Sequence, residues 1–417
     1  MREIARKSLE KEVGTQLRLV GLKERVRQEL REFVVSAGMT ALGALLEDER
    51  TAICGPRYTH QSERVARRGG HARGELVLGG RRVSVKRPRA RGVDGREQAL
   101  PSWTEFSVAG PLHERALEQM LVGVSTRKYE RSLEPVAAPM KTRGTSKSPV
   151  SRRFIEITTA KMDELFRRDL SGIDLAVVML DGVHISDHVI LVALGVDTTG
   201  EKHVLGIREG ATENATACTE LLTGLRERGM STDKTTLFVL DGGKALRKSV
   251  LDVFGEHAKI QRCQAHKIRN VLDQLPEYMR PSVKPVIQQA YACNNVVHAR
   301  KLLTNLARTL RADHPSAAAS VEEGLEETLT VMAMKLPRML ERFLSTTNAV
   351  ENLIGSVRDL SRRVKRWRDG AMIVRWTATA VIEAGKKFRR VAGYKDMPKL
   401  VRALRAHDVL DQEANVA

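Results

Sequence analysis

The chain has 417 residues, enough for roughly two to three domains with a sizeable core. Its 70 Lys and Arg against 51 Asp and Glu leave a formal charge of +19, which points to a polyanionic partner, nucleic acid ahead of an acidic membrane surface. Four cysteines, Cys54, Cys218, Cys263 and Cys293, argue against a disulfide framework, and the lack of a membrane-spanning apolar run or a signal-peptide pattern after Met1 leads us to expect a soluble, intracellular protein.

Residues 1–50 carry apolar positions at helical spacing, among them Leu19, Leu22, Val26, Leu30, Phe33 and Val34, and read as a short helical bundle or a dimerisation segment. Residues 51–110 are dense in Arg and Gly. Alternating apolar positions on either side of Gly79-Gly80 predict a β-hairpin, whose arginines either grip phosphates or form a solvated basic surface. Cys54, His60 and His71 match no compact zinc-ligand spacing. Residues 111–170 hold helical patterns at Leu112–Val122, Ser125–Leu133 and Pro149–Arg168. Ser148 is the expected N-cap of the last, with Pro149 at its first position and Arg152 and Arg153 in its first turn. That arrangement fits a helix-turn-helix that binds DNA, with an ordinary helical linker before the next domain as the alternative.

Between 171 and 275 the pattern changes to strands. Asp174–Leu180 reads as a strand ending on Asp181-Gly182, and Val189–Val196 and His203–Ile207 follow as an antiparallel meander. A helix over Ala215–Arg228, a second strand ending on Asp241-Gly242, a helix over Lys244–Phe254 and a strand over Lys259–Arg262 complete a mixed sheet covered by helices. In such a sheet the first and fourth strands can be neighbours, so their two acids fall side by side. Residues 276–345 predict an all-helical insertion: Val283–Tyr291, Val296–Leu310, Ser320–Met334 and Met339–Leu344. In the last segment, 346–417, a helix begins near Asn348 and carries Glu351, with Gly355, Arg358, Arg362 and Arg366 on one basic stripe that either lets a phosphate backbone lie along it or is a solvated basic face. Trp367 and Trp376 stack on a base or belong to the core.

Taken singly, Asp181 and Asp241 are ordinary turn residues, and Asn348-x-x-Glu351 is a capping-box spacing. Taken together, three carboxylates can hold two divalent ions roughly 4 Å apart for phosphoryl transfer. Oxygen-only ligands favour Mg2+ or Mn2+.

The chain resembles the mutator-type transposases of bacterial insertion sequences, the group of insertion sequence 256. The likeness rests on Gly123-Val124-Ser125-Thr126-Arg127-Lys128, Leu180-Asp181-Gly182, Leu240-Asp241-Gly242-Gly243, the stretch from Gln261 to Asn270, and Thr346-Thr347-Asn348-Ala349-Val350-Glu351-Asn352, all in one order. The resemblance implies an α/β, ribonuclease-H-like catalytic core with an Asp181, Asp241, Glu351 triad, a helical insertion before the glutamate, and a mostly helical DNA-binding region ahead of the core. It also implies that Cys263 and His266 form the family's Cys-x-x-His signature near the core, too few ligands for a zinc site. His184 stands where an aromatic residue is expected, and Pro149 departs from the pattern in the recognition helix. The implied activity is metal-dependent cleavage and strand transfer at the element's terminal inverted repeats, into target DNA, by a homodimer or larger assembly on DNA in the bacterial cytoplasm, at the nucleoid. Arg152, Arg153, Arg358, Arg362 and Arg366 are the expected DNA contacts. The competing readings are a non-catalytic sequence-specific DNA-binding protein and a structure-specific nuclease on the same fold.

Overall fold

The computed structural model describes residues 33, 36–59, 65–78, 81–108, 118–121, 124, 142–143, 147–210, 214–362, 364 and 366–416. The chain divides into two compact units, Met1–Ile157 and Thr158–Ala417.

In the first unit a helix over residues 36–54 (α1) precedes the predicted hairpin. Its strands, Ala66–Leu78 (β1) and Arg81–Gly92 (β2), pair from Ala66↔Gly92 to Leu78↔Arg81 with a bulge between Arg68 and His71. Two short strands, Glu97–Gln98 (β3) and Thr142–Arg143 (β4), pair with β2. Gly74 is a close-approach position: a Cβ there would lie 2.5 Å from the indole of Trp103, on the helix Pro101–Val108 (α2). Several of the hairpin's cations are spent inside the unit. Arg68 pairs with Glu47 of α1, Arg87 and Arg89 share Glu97, and the Arg87 guanidinium lies over the Trp103 ring at 5.3 Å. The turn at Gly79-Gly80, His60 and most of the predicted 112–133 helices, including the first half of any helix-turn-helix, lie outside the described residues. The helix Lys147–Arg167 (α3) begins one residue ahead of the expected Ser148 cap.

The second unit is built on a five-stranded mixed sheet. Leu175–Ile185 (β5), His188–Asp197 (β6) and Lys202–Glu209 (β7) form the meander; Thr236–Leu240 (β8) and Ala258–Arg262 (β9) continue it in parallel, in the order β7-β6-β5-β8-β9. β5 and β8 are adjacent, as the alternation of elements predicts. One expectation is corrected: β5 does not stop at Asp181-Gly182 but runs on to Ile185. Its antiparallel pairing with β6 continues to Ile185↔His188 after the parallel pairing with β8 has ended at Leu180↔Leu240. Long-range ladder bonds thus override the local turn preference of Asp-Gly.

Both faces of the sheet are buried, which is why its central strands read as continuous apolar runs. Val178, Leu180, Phe238 and Leu240 point to one face, under the helices Ala215–Glu227 (α4) and Lys244–Phe254 (α5). Val177, Met179, Val183, Leu237 and Val239 point to the other. There they meet Val350, Leu353, Ile354 and Val357 of the helix Asn348–Ser361 (described below) and the C-terminal helices Gly370–Gly385 and Met397–Val416.

Gln264–Asp273 (α6) leads from β9 into a helical segment with its own core. There Val283 and Ile287 of Arg280–Ala292 (α7) meet Leu303 and Ala307 of Val296–Leu310 (α8), and Ala317 and Val321 of Pro315–Glu322 (α9). The helix expected over Ser320–Met334 is broken instead. Gly324 takes φ +62 against the Arg262 side chain, and two single turns, Leu325–Thr328 and Thr330–Ala333, follow before Arg338–Leu344 (α10). Asn348–Ser361 (α11) ends with Arg362 as its C-cap, so Arg366 falls beyond the helix and the expected basic stripe is cut short. Trp376, 7% exposed on Gly370–Gly385 (α12), meets Trp367 edge-on at 6.3 Å, which makes it a core residue rather than a base platform. Met397–Val416 (α13) closes the chain.

Candidate active site

The pairing Leu180↔Leu240↔Arg262 aligns three adjacent parallel strands, and the next residue on each is Asp181, Asp241 and Cys263. Side chains alternate along a strand, so Asp181 shares the face of Val177, Met179 and Val183, which α11 covers. Glu351 stands in the first turn of that helix, its amide donating to the Thr347 carbonyl at 3.0 Å.

Asp181 is 7% exposed, and its Oδ1 accepts from the Gly182 amide at 2.8 Å. Asp241 Oδ1 accepts from the Gly243 amide at 3.0 Å, in a turn that needs glycine at 242, where φ is +109. The capping-box reading of Glu351 does not hold. The N-cap is Thr347, not Asn348, and the Thr347 side chain makes no cap bond. Its hydroxyl is turned inward instead, 3.4 Å from Cys263 Sγ and 3.4 Å from His266 Nδ1, while its amide also donates to the sulfur at 3.4 Å. The other imidazole nitrogen, Nε2, faces Glu351 Oε1 at 3.5 Å.

One donor atom from each of Asp181, His266 and Glu351 lies within 4.8 Å of the other two. Asp241 is not one of the three, but its charge acts on Asp181. Burial first, and then the neighbouring Asp241 and Glu351 charges, push the Asp181 carboxyl up to about 6 against the opposing pull of His266 and the Gly182 amide. His266 is held above its ordinary value chiefly by its hydrogen bond to Cys263, with the Asp181 charge adding to it. Burial raises the Cys263 thiol, but hydrogen bonds from His266 and Thr347 outweigh it and leave the thiol lowered. A buried carboxylate crowded by two more acids is a place where a divalent cation relieves repulsion, and carboxylate oxygens with one imidazole suit such an ion.

The description "Transposase, Mutator family" matches residues 11–390. The chain belongs to the mutator family of transposases. It is 28% identical over 295 residues to the transposase for insertion sequence element IS6120 of Mycolicibacterium smegmatis, covering 69% of this chain and 87% of that protein. It is 26% identical over 389 residues to the transposase for ISRM5 of Rhizobium meliloti, covering 91% and 92%. The transposase for IS256 in transposon Tn4001 of Staphylococcus aureus is 25% identical over 336 residues, covering 76% and 81%. The protein is thus a transposase of insertion sequence elements, in a family of DDE-type phosphoryl transferases.

In this transposase Cys263 is the N-cap of α6 and His266 lies in its first turn, so the Cys-x-x-His spacing points both side chains at the start of α11. Thr347 lies in the Thr346–Asn352 stretch of the resemblance, but nothing in the order of residues there marks its hydroxyl as facing inward. Of the expected DNA contacts, Arg152 is exposed on α3, while Arg153 is paired with Glu156 one turn away at 2.5 Å. Arg358, Arg362 and Arg366 are exposed. His184 is exposed three residues beyond Asp181. Among the described residues no helix is long and apolar enough to cross a membrane.

Proposed function

We propose that Asp181, Asp241 and Glu351 are the catalytic triad of this transposase, on a sheet of ribonuclease-H-like type, and that Mg2+ or Mn2+ is the cofactor. The observation that carries this reading is the meeting of Asp181, at the end of the paired strands, with Glu351 and His266 from two other elements within 4.8 Å. A bound divalent ion supplies Lewis-acid stabilisation of charge on the attacking and leaving oxygens. The three carboxylates would hold the ion, with His266 orienting Glu351 through its Nε2. In the first step a water oxygen attacks phosphorus at the element's end and the 3′ oxygen leaves as a hydroxyl. In the second that hydroxyl attacks the phosphorus of a target phosphodiester, the bond to the target strand's own 3′ oxygen breaks, that oxygen leaves as a hydroxyl with the proton the attacker gives up, and the element end is joined to the target. Arg152, Arg153, Arg358, Arg362 and Arg366 neutralise phosphates of the terminal repeats and target. Two ends must be brought together, so the working form is a homodimer or larger assembly on DNA, acting in the cytoplasm at the nucleoid.

The test is incubation of the purified protein with labelled DNA carrying the ends that flank its coding region, with Mg2+, Mn2+ or chelator. Metal-dependent nicking and joined products, both lost in Asp181→Asn, are expected. Nicking without joining would indicate a nuclease, and binding without strand chemistry would sink the triad.

A further inference from the structure

Arg262, which ends β9, is only 5% exposed, and its guanidinium bridges two backbone carbonyls of different elements. Nη2 donates to the Gly242 carbonyl at 2.7 Å, and Nη1 donates to the Glu323 carbonyl at 3.0 Å. Gly242 follows Asp241 directly. Glu323 is the C-cap of α9 in the helical insertion, where unsatisfied carbonyls and the negative end of the helix favour a cation. Lys267 binds the same helix end, donating to the Ser320 carbonyl at 2.5 Å and the Glu323 carbonyl at 2.6 Å, but makes no bond to the 241–243 turn. Gly324 closes over the bridge. A Cβ there would lie 2.7 Å from Arg262 Cδ and Nη1, and φ is +62.

We infer that Arg262 is a positioning residue for Asp241, coupling the seating of the helical insertion to the second carboxylate of the metal site. The Asp241 carboxylate takes the Gly243 amide, the Gly243 carbonyl takes the Arg247 amide of α5 at 3.0 Å, and Gly242 between them occupies a φ open mainly to glycine. The Arg262 bond to the Gly242 carbonyl supplies the outside reference. A planar guanidinium with donors in a fixed fork spans two carbonyls in one geometry, which a flexible ammonium does not reproduce. When the insertion's helix end shifts, the guanidinium shifts with it and the Asp241 turn follows.

The inference rests on the reading of Asp241 as a metal ligand, so the experiment carries an arm for each. Full-length protein is titrated with Mn2+ without DNA, free Mn2+ is read by electron paramagnetic resonance, and the melting temperature is recorded alongside. Arg262→Lys is expected to weaken Mn2+ binding by at least tenfold. Gly324→Ala, altered only in the insertion, is expected to weaken it in the same direction. Lys267→Met, which loosens the same helix end but leaves the Arg262 fork in place, is expected to lower the melting temperature and to weaken Mn2+ binding by a smaller factor than Arg262→Lys, because a shift of that end reaches the Asp241 turn only through the guanidinium. If Arg262→Lys and Gly324→Ala lower the melting temperature but leave Mn2+ affinity unchanged, Arg262 is only an anchor and the inference falls. If Asp241→Asn itself binds Mn2+ like the parent, the reading of the site falls instead.

Discussion

His266 Nε2 lies 3.5 Å from Glu351 Oε1, and the opposite ring nitrogen of the same imidazole faces the buried Thr347 hydroxyl at 3.4 Å. Thr347 and Glu351 are one helical turn apart, so the imidazole is held against the start of α11 at two points. A carboxylate flanked in this way is oriented before any ligand arrives, as metal-binding acids are by their outer partners.

Glu351→Gln keeps the shape and hydrogen-bonding capacity of the side chain but removes its charge. Cleavage should fall by at least about a thousandfold, or about 4 kcal/mol of transition-state stabilisation. Affinity for end DNA, measured by fluorescence anisotropy, should stay within about twofold. Activity equal to the parent's would refute the assignment of Glu351.

Asp181 carries a pH dependence. Its carboxyl titrates near 6 in the fold against an ordinary 3.8, because burial and neighbouring acids disfavour the anion. The fold is therefore favoured while Asp181 is protonated, and that contribution is lost as pH rises from about 4 through about 6. In metal-free protein Asp181→Asn should raise unfolding free energy by about 1–3 kcal/mol at pH 7.5 and leave it nearly unchanged at pH 4. Urea unfolding in chelator at the two pH values measures this; a variant less stable than the parent at pH 7.5 would contradict the account. The same variant should be inactive, so stability and activity would move in opposite directions.

Thr347→Val is nearly isosteric and removes the hydroxyl that meets Cys263 and His266. Loss of a buried hydrogen-bonding group should cost about 1–2 kcal/mol in stability. Mispositioning of His266 should cost about tenfold in cleavage, in the range for outer-shell partners. Thr347→Ser retains the hydroxyl and should recover most of the cleavage, measured as single-turnover rate. A Ser variant as slow as the Val variant would show that methyl packing, not the hydroxyl, matters.

Arg358 and Arg362 are exposed on and just after α11, the helix that carries Glu351. If each meets a phosphate, Arg358→Ala and Arg362→Ala should each reduce the slope of log K against log salt by about 1 and weaken binding across all sequences. Arg153 is already paired with Glu156, so Arg153→Ala should change the slope less. Salt titrations of binding to end DNA and unrelated DNA decide between these outcomes.

Much of this architecture was legible from periodicity. The meander β5-β6-β7, the helix Lys244–Phe254 and the helix Val296–Leu310 lie where alternation and helical spacing put them, the last with Asn295 as a side-chain cap on the His298 amide. These elements bury one stripe or two faces each, and burial is written into the order of apolar residues. The failures were local signals overruled at a distance. Asp181-Gly182 looked like the end of a strand, but pairing with β6 carried the strand to Ile185. Ser320–Met334 looked like one helix, but Gly324 turns against Arg262.

The sequence by itself determined which acids end up at the sheet. Asp181 and Asp241 each follow an apolar run, and the chain order of strands and helices makes the strands that carry those runs neighbours. Only the tertiary structure decided what surrounds them. The Thr347 hydroxyl turns inward rather than capping its helix, His266 stands against Glu351, and Arg262 ties the Asp241 turn to the insertion. Each of these contacts joins segments far apart in the chain, and hydrogen-bond geometry between such segments follows from the packing of whole elements, which leaves no periodic trace in the order of residues.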